Sequence, residues 1–393
     1  MKTLFCFILT VLYFTVFCSC KKMEVNEQPV SQMEESNVYN DSSEAEAGIE
    51  KDNLIGFPIL FSLNGLYGYL DRQLQVLIPP IYDLGINYTT HGYAWVRYQE
   101  QKNKSECLIF NRDGEIVFRV YAASITILYD DIISYTPEGE QLHKVIKFMD
   151  DIDIIDRLGG VPAPSKNGIM TARLFDTNEW VFFDYSGNRI LPELELKRMS
   201  RSFQEDRAVV VLGENRDIRI IDNDGNFYGN LEFYRTGRNF SEGLLPAETK
   251  DGYTGYVNKD GKFAFYVPIV ADIPNYDESP LNATDFIGGH ALIQSVLDPP
   301  TWRIINNQGK YISDELPISS AYAFRDELSC VRLNDNSYAY INTRGEYQFD
   351  LIFDKADSFY QGYARVVFHG RDGLINTKGE IFWCDEIVSK NKE

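Results

Sequence analysis

The sequence contains little of what most enzyme active sites require. It has only 4 histidines (His91, His143, His290 and His369), and they lie too far apart to form a metal-binding motif. It contains no Gly-x-Ser-x-Gly elbow, phosphate-binding loop or dinucleotide fingerprint. We therefore predict a protein that is not an enzyme, with no catalytic, cofactor-binding or metal-binding residue and no cofactor.

Basic segments are also scarce. The 58 acidic residues outnumber the 38 basic ones and give a formal net charge of −20, while Lys21-Lys22 is an isolated basic pair. A surface of this sign repels phosphate backbones. We predict no nucleic-acid partner, and we interpret the acidity as typical of a soluble surface.

The chain has one long apolar run, from Leu4 to Phe17, and its 14 residues are too few for a comfortable transmembrane helix. The run has the length of the apolar core of a signal peptide. The residues that follow, Phe17-Cys18-Ser19-Cys20, resemble the bacterial lipobox, in which a signal peptidase cuts before a cysteine that carries lipid. The resemblance implies a signal peptide at 1–19 and lipid attachment at Cys20, with Cys18 as the alternative. It also implies a location in the bacterial cell envelope, where the lipid holds the protein on a membrane. An ordinary cleaved secretory leader and an uncleaved membrane anchor are the other possibilities for this segment.

The next segment, 20–52, is strongly acidic. Eight carboxylates and no Lys or Arg lie between Met23 and Glu50. Such a stretch cannot bury enough apolar surface to fold and extends by self-repulsion. We predict a flexible acidic tether.

Cysteines are few beyond the leader. Cys107, Cys330 and Cys384 are widely spaced and form neither a metal motif nor a recognisable disulfide framework. One pair could still form a disulfide in an oxidising compartment, and the sequence does not indicate which pair.

Internal repetition dominates the rest of the chain. A short apolar strand ends in Asp or Asn, and Gly follows three residues later. Eight copies occur, at 71–74, 111–114, 184–187, 222–225, 258–261, 306–309, 342–345 and 376–379, with Leu74 in place of Gly in the first. The spacings of their last residues are 40, 73, 38, 36, 48, 36 and 34, so the long interval contains room for one further, degenerate unit, for which 155–159 is a candidate.

The residue types in this signature predict a hairpin turn. Asp or Asn caps the turn through its side chain, and Gly accepts a positive φ. Leu74 is therefore expected to strain the first copy or to change its turn. A second signature, a Phe followed by a polar turn and a strand, precedes many copies and begins at Phe203, Phe240, Phe286, Phe324 and Phe359.

The segment Tyr67-Gly68-Tyr69-Leu70-Asp71, followed by Ile78-Pro79-Pro80-Ile81-Tyr82-Asp83, resembles the bacterial WG-repeat (KWG) family. In that family the unit begins Trp-Gly-Tyr-Ile-Asp and continues to Val-Ile-Pro-Pro. The resemblance covers roughly residues 66–387 and implies a β-repeat array without a known general activity.

We predict an all-β fold of tandem repeats of about 34–48 residues, with a repeat domain of about 8 units at 53–388 and a tail at 389–393. Units of this length fit the blades of a propeller-like ring, and the alternative is an open β-solenoid. The predicted function is a cell-envelope lipoprotein that acts as a non-catalytic binding or scaffold domain for a protein or glycan partner. The alternatives are a glycosidase-like enzyme and a purely structural envelope protein.

Overall fold

The computed structural model describes residues 57–101, 104–199, 203–213, 215–237, 239–268, 282–295 and 301–391. These residues form 31 β-strands and one short helix, α1 (Cys384–Lys390). The all-β prediction is confirmed. The predicted signal peptide, the lipid-attachment residue Cys20 and the acidic tether lie outside the described residues. No helix in the described part of the chain has the length and apolar character needed to cross a lipid bilayer.

The described strands form seven hydrogen-bonded antiparallel sheets, which we divide into nine consecutive units because units 2 and 3 share one sheet and units 4 and 5 share another. Unit 1 contains β1 (Ile59–Leu63), β2 (Leu66–Leu70) and β3 (Val76–Tyr82). Unit 2 contains β4 (Leu84–Gly85), β5 (Ala94–Gln101), β6 (Lys104–Phe110) and the first half of β7 (Ile116–Tyr129). Unit 3 contains the second half of β7, β8 (Ile132–Pro137), β9 (His143–Lys147) and β10 (Ile152–Leu158). The long β7 serves two units, because its first half pairs with β6 and its second half with β8.

Units 4 to 6 have four strands each. Their bounds are β11 (Ala163–Pro164), β12 (Ile169–Arg173), β13 (Trp180–Asp184), β14 (Arg189–Ile190); β15 (Leu196–Met199), β16 (Ala208–Leu212), β17 (Asp217–Ile221), β18 (Phe227–Tyr228); and β19 (Phe233–Thr236), β20 (Leu244–Thr249), β21 (Thr254–Asn258), β22 (Phe263–Tyr266). Units 7 to 9 contain β23 (His290–Gln294), β24 (Trp302–Asn306); β25 (Ile318–Ala321), β26 (Leu328–Leu333), β27 (Tyr338–Asn342); and β28 (Lys355–Ala356), β29 (Tyr363–Phe368), β30 (Arg371–Asn376), β31 (Ile381–Trp383).

Both signature turns of a unit lie at the same end of its sheet. In unit 5 the strand order is β15-β16-β17-β18 with antiparallel pairing throughout. The Phe-bearing turn joins the first strand to the second, and the Asp/Asn turn joins the third to the fourth. Alternate connections of an antiparallel sheet fall on the same side, so all signature turns share one side of the array, here called the turn face.

Nine clusters of buried side chains lie among the described residues, one between each pair of neighbouring units. Because strand side chains alternate in direction, the central strands serve two clusters at once. In β21, for example, Val257 belongs to the cluster shared with unit 5 and Tyr256 to the cluster shared with unit 7. Each unit is therefore stabilised mainly through its neighbours.

The ninth cluster joins the last unit to the first. Phe61 and Leu70 of unit 1 pack with Leu374 of unit 9 and with Cys384 and Ile387 of helix α1. Polar contacts support the same junction. The amide of Asn64 donates to Asp372 Oδ2 at 2.9 Å, and the amide of Val76 donates to Asn391 Oδ1 at 3.2 Å. The array is therefore a closed, propeller-like ring and not an open solenoid.

The 73-residue interval between clear repeats contains unit 3. Its third and fourth strands, β9 and β10, are joined through Phe148–Asp151, where Asp151 adopts a φ of 54° without a glycine. The candidate turn at 155–159 was misplaced, because residues 155–158 lie within β10. The signature is lost here because a non-glycine residue takes the left-handed conformation.

Candidate functional site

The Asp/Asn turns behave as their residue types predict. In all eight copies the side-chain Oδ1 accepts hydrogen bonds from the backbone amides two and four residues later, at 2.8–3.1 Å. The seven glycines have φ between 70° and 89°, and Leu74 adopts 59°. The predicted capping role is confirmed, and Leu74 keeps the turn by adopting the left-handed conformation that favours glycine. The Asp and Asn side chains at these positions are therefore used by the turns themselves.

The Phe-bearing turns share one conformation. Each Phe is at most 3% exposed. In each following turn the two central residues both have positive φ, between 49° and 85°, as in a type I′ turn. The central pairs are Glu205-Asp206, Glu242-Gly243, Gly288-Gly289, Asp326-Glu327 and Gln361-Gly362. A non-glycine residue in this conformation costs about 1–2 kcal/mol, so its retention requires compensating contacts.

Hydrogen bonds between neighbouring turns supply this compensation. Glu205 accepts bonds from the amides of Glu242 and Gly243 at 2.6 and 2.7 Å. Glu242 in turn accepts bonds from the amides of Gly288 and Gly289 at 2.6 and 2.8 Å. The first central residue of one turn thus caps the turn of the next unit, and the contact is charge-assisted.

The same relation recurs between the last units. Asp326 Oδ2 accepts a bond from the amide of Gly362 at 2.8 Å. Across the ring junction, the guanidinium of Arg72 donates to the carbonyl oxygen of Gln361 at 3.1 Å and to the Gln361 side chain. The hydroxyl of Tyr360 donates to the carbonyl oxygen of Tyr88. These contacts hold the turns of units 8 and 9 and the first repeat turn close together.

A cavity of about 880 Å³ opens on the turn face where units 8, 9 and 1 meet. This volume falls within the roughly 300–1,000 Å³ usual for small-molecule sites. The lining combines three arginines, two carboxylates, amides and hydroxyls with one buried phenylalanine; the residues are Arg72, Arg325, Asp326, Glu327, Leu328, Asn342, Thr343, Arg344, Gln348, Phe359, Tyr360, Gln361, Gly362 and Thr377.

The three arginines differ in how they are held. Arg72 is half-buried, and burial lowers the pKa of its guanidinium from the ordinary value. Arg344 lies 3.0 Å from Glu346, with which it forms an ion pair. Arg325 is exposed, and its guanidinium forms no hydrogen bond or ion pair with another described residue. Of the three guanidinium groups in the cavity, only that of Arg325 is therefore without a partner among the described residues.

Sequence reasoning did not identify this cavity. Arg72, Thr343, Arg344 and Thr377 occupy variable positions of the Asp/Asn turns, so their common side of the ring could be inferred from the repeat. Their convergence with Gln361 depends on contact between units 1 and 9, across 289 residues, and the periodic sequence carries no signal for that contact.

The residues that the sequence singled out lie apart. The four histidines belong to units 2, 3, 7 and 9; the rings of His91 and His290 lie 4.5 Å from Tyr129 and 6.0 Å from Phe324. In the described part of the chain no group of three or more His, Cys, Asp or Glu side chains could hold a metal ion. Cys107, Cys330 and Cys384 are buried free thiols in or beside units 2, 8 and 9, and burial raises the pKa of each to about 12.

A small aromatic patch lies on unit 6. Tyr253 and Tyr266 are 55% and 64% exposed, and their rings lie 5.8 Å apart. The ring of Phe263 lies 4.4 Å from that of Tyr266. Exposed aromatic rings suit contact with a partner. The cavity at the ring junction adds an enclosed volume and convergent polar groups, so it is the principal candidate site.

Comparison with known proteins matches two segments of the chain, 67–102 and 338–371, to the WG containing repeat. The chain therefore contains WG repeats, as the sequence resemblance predicted. The first matched segment runs from β2 in unit 1 to the end of β5 in unit 2, and the second runs from β27 in unit 8 to the start of β30 in unit 9. The repeat in the sequence is thus offset from the unit of the fold. No protein in a search of the curated proteins matches the chain.

Solved structures that resemble the chain include three proteins of low sequence identity. Hsv2p from Kluyveromyces lactis is 12% identical, with 72% of this chain and 89% of that chain covered and a TM-score of 0.35. BamB from Moraxella catarrhalis is 11% identical, with 82% and 94% covered and a TM-score of 0.33. The beta-propeller domain of Cps50 (Swd1) from Myceliophteria thermophila is 10% identical, with 65% and 94% covered and a TM-score of 0.30. TM-scores this low carry no structural argument. The closed ring is therefore inferred only from the contacts between the units of this chain.

Proposed function

We propose that this chain is a cell-envelope lipoprotein whose repeat domain is a non-catalytic binding or scaffold module for a protein or glycan partner. The observation that supports binding is the polar cavity at the junction of units 8, 9 and 1. Small-molecule sites are usually recesses of this size, about 880 Å³, in which a few polar groups converge. The observation that supports the envelope location is the lipobox-like sequence ending at Cys20.

The carboxylates of the cavity favour binding over sugar hydrolysis. Glycosidases place two carboxyl groups on either side of the bond that they cleave. Asp326 and Glu327 are instead consecutive residues of one turn, and Asp326 accepts the amide of Gly362 at 2.8 Å. This arrangement provides a fixed turn and does not provide an opposed pair of acids.

The binding proposal can be tested by filling the cavity. Thr377 lines it, and a Thr377→Trp substitution places an indole there, while Thr177→Trp places the same side chain in an exposed turn of unit 4. The full chain and both variants are applied to immobilised glycans and peptides. We expect a ligand that binds the wild type and Thr177→Trp but not Thr377→Trp. Equal binding by all three proteins would show that the cavity is not the site.

The envelope location has a separate test. The full chain is expressed in a bacterium that processes lipoproteins, and intact masses are measured for the wild type and Cys20→Ala. We expect a wild-type chain that begins at Cys20 and carries acyl groups, and loss of this species in the variant. An unlipidated wild type would contradict the lipoprotein proposal and would leave the cavity test unaffected.

A further inference from the structure

The turn of unit 8 lacks a carboxylate that comparable turns receive. The turns of units 6 and 7 each offer two adjacent backbone amides to a glutamate of the preceding unit, at 2.6–2.8 Å. In unit 8 the equivalent amides belong to Asp326 and Glu327, and neither donates to any described residue. The reason lies in unit 7, where Gly288 occupies the position that Glu205 and Glu242 occupy in units 5 and 6.

The turns of units 7 and 8 are nevertheless neighbours. Ile287 packs against the buried cluster that contains Phe324, and the ring of His290 lies 6.0 Å from that of Phe324. A Cβ atom added at Gly288 would meet no other atom within 4 Å. The space that a side chain at Gly288 would enter is open.

A cation stands beside the two amides. Arg325 directly precedes them and is exposed. Its backbone pairs with Leu328 across the turn, but its guanidinium forms no hydrogen bond or ion pair with a described residue. Together with Asp326 and Glu327 it lines the cavity at the ring junction. Adjacent backbone amides with positive φ form a concave anion site, and a guanidinium adds charge-assisted donors that match a carboxylate.

The acidic side chains of Asp326 and Glu327 do not prevent a carboxylate from binding to the two amides. Glu242 has its own carboxylate, yet its amide donates to the carboxylate of Glu205, while its side chain accepts from the amides of unit 7. Asp326 has the same arrangement, because its carboxylate is directed to the amide of Gly362 in unit 9.

We propose that the turn of unit 8 binds a glutamate side chain of another polypeptide, whose carboxylate takes the place that Glu205 and Glu242 take on units 6 and 7. The choice of glutamate follows from these two internal occupants, which are glutamates presented on a tight turn. The inference rests on the proposed binding function and specifies its ligand.

The test uses a peptide copied from the chain itself. Phe-Ser-Glu-Gly-Leu-Leu, the sequence of residues 240–245, is acetylated, amidated and fluorescently labelled, and its binding to the full chain is measured by fluorescence anisotropy. We expect saturable binding that weakens about ten-fold when Gln replaces the Glu, because hydrogen bonds to a charged acceptor are the stronger ones.

Two variants at Gly288 form a matched pair. Gly288→Glu places a carboxylate in the open space at a φ of 62°, close to the 51° and 52° of Glu205 and Glu242, and should abolish peptide binding by occupying the amides. Gly288→Gln requires the same positive φ but adds no charge, and this variant should retain peptide binding. Thermal melting of both variants checks that each is folded.

Arg325→Gln provides an independent variant that leaves the turn backbone unchanged, and we expect it to weaken the peptide about ten-fold. The proposal is wrong if Gly288→Glu binds the peptide as tightly as Gly288→Gln, or if the Glu and Gln peptides bind equally. Tighter binding of an oligogalacturonate than of the peptide would also overturn it. In that case sensitivity of the sugar to Thr377→Trp would leave the proposed binding function standing.

Discussion

At the scale of single residues, buried tyrosines in the third strands differ in how their hydroxyls are satisfied. Tyr340 is 1% exposed and donates to the carbonyl oxygen of Asp357 at 2.7 Å. Tyr256 occupies the same position in unit 6 and is fully buried, but its hydroxyl has no hydrogen-bond partner in the part of the chain that the structure describes. A buried hydroxyl is costly when it is unpaired, so the two tyrosines should respond oppositely to loss of that group.

We predict that Tyr340→Phe lowers the free energy of unfolding by about 1 kcal/mol, because it removes one neutral hydrogen bond and leaves the Asp357 carbonyl without its donor. Tyr256→Phe, the matched control, should leave it unchanged or raise it slightly. Urea denaturation of the full chain measures both. If both variants lowered the free energy of unfolding equally, the difference in hydrogen bonding between the two hydroxyl groups would be contradicted.

The three buried thiols predict a dependence of stability on alkaline pH. Burial raises the pKa of Cys107, Cys330 and Cys384 from 9.0 to about 12. Above pH 9 the unfolded chain loses these protons while the folded chain keeps them, so the stabilisation is complete below about pH 9 and is lost as the pH rises towards 12.

Denaturation at pH 9, 10 and 11 should therefore show a falling free energy of unfolding. Removing one thiol by Cys330→Ala should make that fall shallower by up to about 1.4 kcal/mol per pH unit. The readout is the slope, because the loss of packing at this site affects all pH values alike. An unchanged slope would mean that Cys330 titrates in the same way in both states.

Single residues were the scale at which the sequence was most informative. Asp222 and Asn342 cap their turns as the chemistry of their side chains requires, and Leu74 adopts the predicted positive φ. The sequence could not predict that the guanidinium of Arg325 lacks a partner among the described residues, because this depends on which side chains of a neighbouring unit approach it.

At the scale of elements, the contact from one Phe-bearing turn to the next explains why non-glycine residues are retained at positive φ. Glu242 has a φ of 52° and offers both carboxylate oxygens to the turn of unit 7. The function of this residue lies in its contact with the next unit, which the repeat signature in the sequence does not reveal.

We predict that Glu242→Ala lowers the free energy of unfolding by about 1 kcal/mol, a loss similar to that of a helix cap, because two backbone amides lose a charged acceptor at the surface. The control is Glu138→Ala, since Glu138 is an exposed turn residue whose carboxylate forms no hydrogen bond or ion pair with another described residue. Its effect should stay within about 0.5 kcal/mol. Thermal or urea unfolding compares the two.

At the scale of the whole molecule, the repeat period favoured a ring but did not decide between a ring and an open array. The deciding contacts join residues about 300 positions apart, such as Asn64 with Asp372. A sequence in which every unit resembles the next contains no mark that its first unit meets its last. The closure follows from packing, since Phe61 and Leu70 would otherwise expose an apolar face.

Closure makes the junction of units 1 and 9 equivalent to any other junction. Phe61, at 0% exposure, fills the cluster between units 9 and 1, and Phe240, at 3%, fills the cluster between units 5 and 6. In a closed ring Phe61→Ala and Phe240→Ala should each lower the free energy of unfolding by about 3–5 kcal/mol, with one cooperative transition in both. In an open array Phe61 would lie in an end unit, where its loss only frays that end. Urea unfolding, monitored by intrinsic fluorescence and far-UV circular dichroism, distinguishes the two cases. A small decrease in the free energy of unfolding for Phe61→Ala together with a large decrease for Phe240→Ala would contradict closure.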